Sequence, residues 1–176
     1  MGNVYGTILS IAFLVISIRC CTNGGDSNTT NHPATVGEAL RTSDKNGTFP
    51  SLNRDNTVAG PDMDNNGVRD DIDAFINSLP DTLSQKAALR QISSAIRNAM
   101  LFDTTDQNAL VAASNKISNG SACIHSTYDS SNASSRNLEI EKLTVNTKVR
   151  FIAYERFSRS IRGTSFVLPE GNGCDK

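Results

Sequence analysis

Four stretches of this chain bring apolar residues back at intervals of three and four, the repeat that places i, i+3, i+4 and i+7 on one face of a helix. From Arg69, Ile72, Phe75, Ile76 and Leu79 line one face of a first helix, which Pro80 ends. A second helix is expected over residues 82–102, with Ala88, Ile92, Ala95, Ile96 and Ala99 inward and Arg90 and Arg97 turned away. Asp103 to Asp106 form a polar break. A third helix follows over 107–118, with Leu110, Ala113 and Ile117 inward, before Asn119, Gly120 and Ser121 end or bend it. Residues 130–135 read as a Ser-rich loop. The fourth and longest helix is expected over 136–162, on a stripe of Leu138, Val145, Val149, Ile152, Ala153, Phe157 and Ile161, with Gly163 as its cap. The tail adds one short extended piece at 166–168. The fold class is therefore all-α, a small bundle of about four helices.

At 176 residues the chain holds one ordinary domain and a little more. Its 17 Lys+Arg nearly balance 18 Asp+Glu, which argues against a nucleic-acid binder or a polybasic membrane-surface protein, since both need excess positive charge. The balance is an average over opposites. Residues 62–73 hold five acids and one base, while the long helical stretch carries Arg136, Lys142, Lys148, Arg150, Arg156, Arg159 and Arg162 against Glu139, Glu141 and Glu155.

Residues 8–18 form an uncharged run of apolar or small residues, well short of the roughly 20 that span a bilayer as a helix. Cys20 and Cys21 follow, then an abrupt change to Asn, Ser, Thr and Gly. The segment resembles a bacterial lipoprotein signal. The resemblance implies a lipid on Cys20 or Cys21 and a membrane partner through that anchor. A conventional signal peptide and an uncleaved anchor are the alternatives, and all three place the folded part in the cell envelope, periplasmic or extracellular. The expected organisation is a signal at 1–21, a flexible polar linker at 22–60 and a helical domain at 61–176. Cys123 and Cys174 remain as an even pair in an oxidising compartment, so a disulfide is expected. Closing a loop of about 50 residues contributes roughly 4 kcal/mol in the chain-entropy treatment.

Counted from Asp62, the segment DMDNNGVRDDID sets oxygen side chains at positions 1, 3, 5, 9 and 12 and Gly67 at position 6. Alternate residues of a tight turn point inward, and Ca²⁺ takes six to eight oxygens. The expected ligands are Asp62, Asp64, Asn66, the Val68 carbonyl, Asp70 and Asp73. The register resembles an EF-hand loop, more particularly the loop-plus-helix half of a dockerin, and that resemblance implies calcium. The competing reading is a solvated acidic turn that caps the following helix. Asp44 to Thr48 read as a plain turn rather than a second loop, so a single site would be a structural clip rather than a sensor.

Taken together, NNGVRDDIDAFI, the helical middle, VNTKVRFIAYERF and the terminal Cys are similar to a pattern found in secreted or lipidated bacterial proteins. It covers Asn66, Gly67, Asp70, Asp71 and Asp73 in the loop and Asn146, Arg150 and Tyr154 in the long helix, and it implies compartment and scaffold but no activity. Asn146, Arg150 and Tyr154, at i, i+4 and i+8, form one polar stripe. It is either a ligand-facing surface, or a structural set in which Arg150 stacks on Tyr154 or reaches the acidic loop and Asn146 caps a neighbouring loop. His125 reads as a partly buried polar residue. GxSxG, HExxH, P-loop and dinucleotide motifs are all missing from the chain. The expectation is a calcium-stabilised, non-enzymatic envelope lipoprotein or secreted interaction module with a possible envelope protein partner. An envelope enzyme or small-ligand binder using the Asn146, Arg150 and Tyr154 face is the alternative.

Overall fold

The computed structural model describes residues 51–176 except 104, 166, 168 and 170. The expected signal, the lipidation candidates Cys20 and Cys21 and most of the linker lie outside the described residues, as does most of the extended piece at 166–168. Five helices follow in chain order: α1 Asp70–Ser78, α2 Leu83–Leu101, α3 Gln107–Thr127, α4 Ser130–Thr144 and α5 Lys148–Ser160. There is no strand among the described residues, and no helix among them is long and apolar enough to cross a membrane. The all-α bundle holds, with one helix more than the periodicity indicated.

Local chemistry sets the starts. Thr82 and Gln85 form a reciprocal capping box on α2, while the Asp106 and Asp129 carboxylates accept from the first free amides of α3 and α4. Asp70, Asp71 and Asp73 lie in the first turn of α1, where the helix dipole favours negative charge. Residues 130–135, read from their serines as a loop, are instead the first turns of α4, although serine is a poor helix former. The Asp129 cap overrides that preference, and the carboxyl is held down at about 2 by the Ser131 hydroxyl, the Asn132 carboxamide and the backbone amides of both.

Two expected boundaries fall elsewhere, each for a packing reason. α3 does not end at Ser118 but runs on through Gly120, which is buried against α2. A Cβ there would lie 2.9 Å from the Ile92 Cα, so the missing side chain lets two helices touch rather than breaking one. The long helix expected over 136–162 is two helices. Val145 leaves the helical path, and Thr147 in extended geometry caps α5 with its hydroxyl on the Arg150 amide. The break resets the helical phase. Leu138 and Ile152, expected inward on one continuous helix, are about half exposed at 49% and 51%, while Ile140, Leu143 and Arg150 are the buried ones.

α2 is the central element and touches all four other helices. The main core gathers Val68, Ile72 and Ile76 with Leu89, Ile92, Ile96, Ile124, Ile140 and Leu143. A smaller cluster at the other end holds Ala99, Leu110, Ala113, Phe157 and Ile161, and Ile117 and Tyr154 pack against both. The expected disulfide joins Cys123 of α3 to Cys174. The tail also lies on α2, where the Gln91 carboxamide donates to the Gly173 carbonyl and accepts from the Asp175 amide.

Gly120→Val places branched carbon against the α2 backbone. We expect it to cost about 1–3 kcal/mol in urea unfolding, the range for an overpacked core. An unchanged midpoint would mean that α2 and α3 do not approach at this residue.

Candidate metal centre

The loop from Asp62 to Asp70 is folded by its own side chains. Asp62 accepts from the amides of Asn66 and Gly67 at 3.1 Å each, and Asp64 from the Asn66 amide at 3.2 Å and carboxamide at 2.9 Å. Asn66 in turn accepts from the Val68 amide at 2.7 Å, and Asp70 from the Met63 amide at 3.0 Å. These bonds require two backbone reversals, at Asn65 with φ 56° and Gly67 with φ 84°. Gly67 is fixed for a second reason: a Cβ would sit 2.6 Å from the Ser94 hydroxyl of α2.

The folding brings carboxylate oxygens of Asp62, Asp64 and Asp70 within 4.8 Å of one another. Like charges about 4 Å apart repel by about 1 kcal/mol in bulk water and about 4 at an effective dielectric of 20. An all-oxygen set of this kind fits a hard cation such as Ca²⁺ or Mg²⁺ and not a soft one. Asn66 stands in the same loop, its carboxamide oxygen accepting from the Val68 amide and its carboxamide nitrogen donating to Asp64. Asp73 turns to Arg90 of α2 at 2.5 Å.

Arginines that the sequence reading set aside organise the surroundings. Arg90 and Arg97 do not point into solvent. Arg97 lies 3.4 Å from Asp62 and donates to the Ala59 carbonyl at 2.9 Å, and Arg90 also bonds the Asn77 side chain. Their spacing with Ser94, i, i+4 and i+7, was the available signal that one face of α2 meets an acidic element. Arg69 is 2% exposed. It forks onto Asp71 at 2.5 and 2.8 Å and donates to the carbonyls of Leu143 and Thr144 at 3.1 Å, two of the open carbonyls at the α4 C-terminus.

The stripe of Asn146, Arg150 and Tyr154 does not form an open ligand-facing surface. Arg150 is completely buried. Its guanidinium donates to the Asn146 side chain at 2.8 Å, to the Asn53 carbonyl at 2.8 Å and side chain at 3.0 Å, and to Asp55 at 2.7 Å. Asn146 also donates to the Asn53 carbonyl at 3.0 Å, the loop contact that the structural alternative anticipated. Arg150 does not reach the Asp62, Asp64 and Asp70 cluster. Residues 53–60, assigned by composition to the polar linker, are thereby tied to the bundle. Burial, with Arg69 nearby, pulls the Arg150 guanidinium below its ordinary range, against Asp55 and Asp71. Asp55 is held below the usual carboxylate range chiefly by the Thr57 hydroxyl, with help from the Thr57 amide, Arg150 and Arg69. Tyr154 is raised by burial and by Glu141, whose own carboxyl burial also raises. His125 is exposed on α3 rather than partly buried.

Gly67→Ala should lose about 1–3 kcal/mol of stability, combining the left-handed backbone with the Ser94 clash. Adding Ser94→Ala should return the steric part alone, so the double variant stays below the parent in urea melts. Full recovery would mean that the backbone reversal costs nothing. No known protein family, curated protein or solved structure matches the chain.

Proposed function

We propose that this chain is a calcium-stabilised, non-enzymatic interaction module of the cell envelope, anchored through a lipid on Cys20 or Cys21. The observation that carries the cation part is the approach of the Asp62, Asp64 and Asp70 carboxylates to within 4.8 Å on a loop packed against α2. A divalent cation there would replace their mutual repulsion with attraction and tie the start of the loop to the start of α1. Its binding free energy then becomes folding free energy. Asp62, Asp64 and Asp70 are the first ligands in this reading, with waters completing the shell. Asp73, paired through one oxygen with Arg90, stands apart from this cluster, which separates the site from the full EF-hand set of Asp62, Asp64, Asn66, Val68, Asp70 and Asp73.

The envelope part rests on the apolar run at 8–18, the two cysteines behind it and the Cys123–Cys174 bond, which belongs in an oxidising compartment. The chain lacks the familiar catalytic motifs, which supports a binding rather than an enzymatic role. An envelope enzyme or small-ligand binder acting through Asn146, Arg150 and Tyr154 must contend with a guanidinium already filled by the chain's own oxygens.

Thermal unfolding with calcium, magnesium or a chelator tests the cation. At calcium about 100-fold above Kd, linkage adds about 2.7 kcal/mol, a rise of several degrees. The rise should vanish in Asp62→Ala and Asp64→Ala and survive in Asp73→Ala. No calcium-dependent rise in the parent chain removes the reading. Loss of the rise in Asp73→Ala would restore the EF-hand ligand set.

A further inference from the structure

A guanidinium taken out of water needs acceptors for its N–H groups and an opposing charge. Arg69 and Arg150 meet this need in different ways. The acceptors of Arg69 all belong to the loop–α1 start and to α4. Arg150 has one acceptor in the bundle, the Asn146 side chain. Its other three come from residues 53 and 55: a main-chain carbonyl, a carboxamide oxygen and a carboxylate oxygen. Its Nε is buried without any partner.

The Arg150 side chain is fully buried while that of Asp55 is 37% exposed, so the ion pair runs from the interior to the surface. Residues 53–60 form a strap over the bundle, held further by polar ties of the Asn53 amide to Asp71 and the Ala59 carbonyl to Arg97, with Gly60 against the aliphatic stem of Arg69 and the Arg150 guanidinium. Leu52, just before it, adds a partly buried apolar contact with the main core. Polar contacts of this kind exchange readily for ions and water. Three oxygens converging on the two terminal nitrogens of a guanidinium are also what a phosphate, or a carboxylate with an adjoining oxygen, presents.

We propose that residues 53–55 are an internal ligand in an oxyanion site built by Arg150 and Asn146, and that a small soluble oxyanion takes this site when the strap lifts. With Asp55 gone, Arg150 faces Arg69 and keeps Asp71 as its nearby carboxylate. An incoming anion restores both the counter-charge and the hydrogen bonds. Binding is coupled to strap release, because the Asn53 amide and the Ala59 carbonyl must leave Asp71 and Arg97. The inference is independent of any cation at residues 62–73.

Inorganic phosphate is the probe, titrated into the full chain at constant ionic strength and followed by melting temperature and by amide exchange of residues 53–60. Phosphate also stabilises proteins by exclusion from their surfaces, but that effect does not saturate and is common to all variants. Asp55→Ala removes the competitor's charge and one of its three oxygens, so a saturable rise should appear at a midpoint at least about tenfold lower than in the parent. It should be lost in Asp55→Ala/Arg150→Met. Should that variant not fold, Asp55→Ala/Asn146→Ala, which keeps the guanidinium, should move the midpoint up several-fold. No saturable effect in Asp55→Ala, equal midpoints in Asp55→Ala and the parent, or insensitivity to both second substitutions would overturn the proposal.

Discussion

Arg69 holds three separate pieces of chain together with one side chain. Its fork fixes Asp71 at the start of α1, its outer nitrogens close the open carbonyls of Leu143 and Thr144, and its stem leaves no room for a Cβ on Gly60. A charge this deeply buried tolerates little rearrangement, because removing any one partner leaves an N–H group or a carboxylate uncompensated. The interruption between α4 and α5 belongs to the same constraint. Had residues 136–162 continued as one helix, Leu143 and Thr144 would give their carbonyls to the next turn and Arg69 would lose both acceptors. Breaking the helix at Val145 frees those carbonyls and lets Asn146 and Arg150 turn toward the strap.

How legible this was depends on the range of the forces involved. The starts of α2 and α3 could be read because Thr82, Gln85 and Asp106 act within four residues of themselves. The core positions of α1 and α2 could be read because periodicity is a local property, and the disulfide because only two cysteines were left to pair. The α4 to α5 break was not legible. Val145, Asn146 and Thr147 are only mildly unfavourable in a helix, and what decides the matter is an arginine more than 70 residues earlier. Gly120 misled for a related reason. Its local meaning is a helix end, whereas its meaning in the bundle is contact with Ile92.

The candidate site divides in the same way. Asp62, Asp64 and Asp70 meet because the turn that joins them is local and carries Gly67 at its bend. Asp73 was counted with them on spacing alone, but it stands one helical turn further on, where Arg90 of a different helix competes for it. Arg150 and Tyr154 do share a face of α5, as their spacing requires, while Asn146 stands outside the helix in the break before it. Spacing cannot say whether a shared face looks at solvent or at another segment. Here the other segment is residues 53–60, whose composition of Asn, Asp and Thr reads as linker and whose attachment includes hydrogen bonds to Arg150, Asn146, Asp71 and Arg97.

The arginines also sharpen what the acidic loop can be asked to hold. Of the five carboxylates between Asp62 and Asp73, Arg97 approaches Asp62, Arg69 forks onto Asp71 and Arg90 pairs with Asp73. Five negative charges set against these three guanidiniums leave two, on Asp64 and Asp70, whose contacts within the loop are to Asn66 and to the Met63 amide. Neutral donors orient a carboxylate without cancelling its charge. A divalent cation bridging Asp62, Asp64 and Asp70 would bring the segment to balance, whereas a full six-residue set including Asp73 would strip Arg90 of its partner and leave that guanidinium to be compensated elsewhere. Charge balance therefore bears on Asp73 alone among the residues that the spacing would enlist, since the neutral oxygens of Asn66 and the Val68 carbonyl leave the count unchanged.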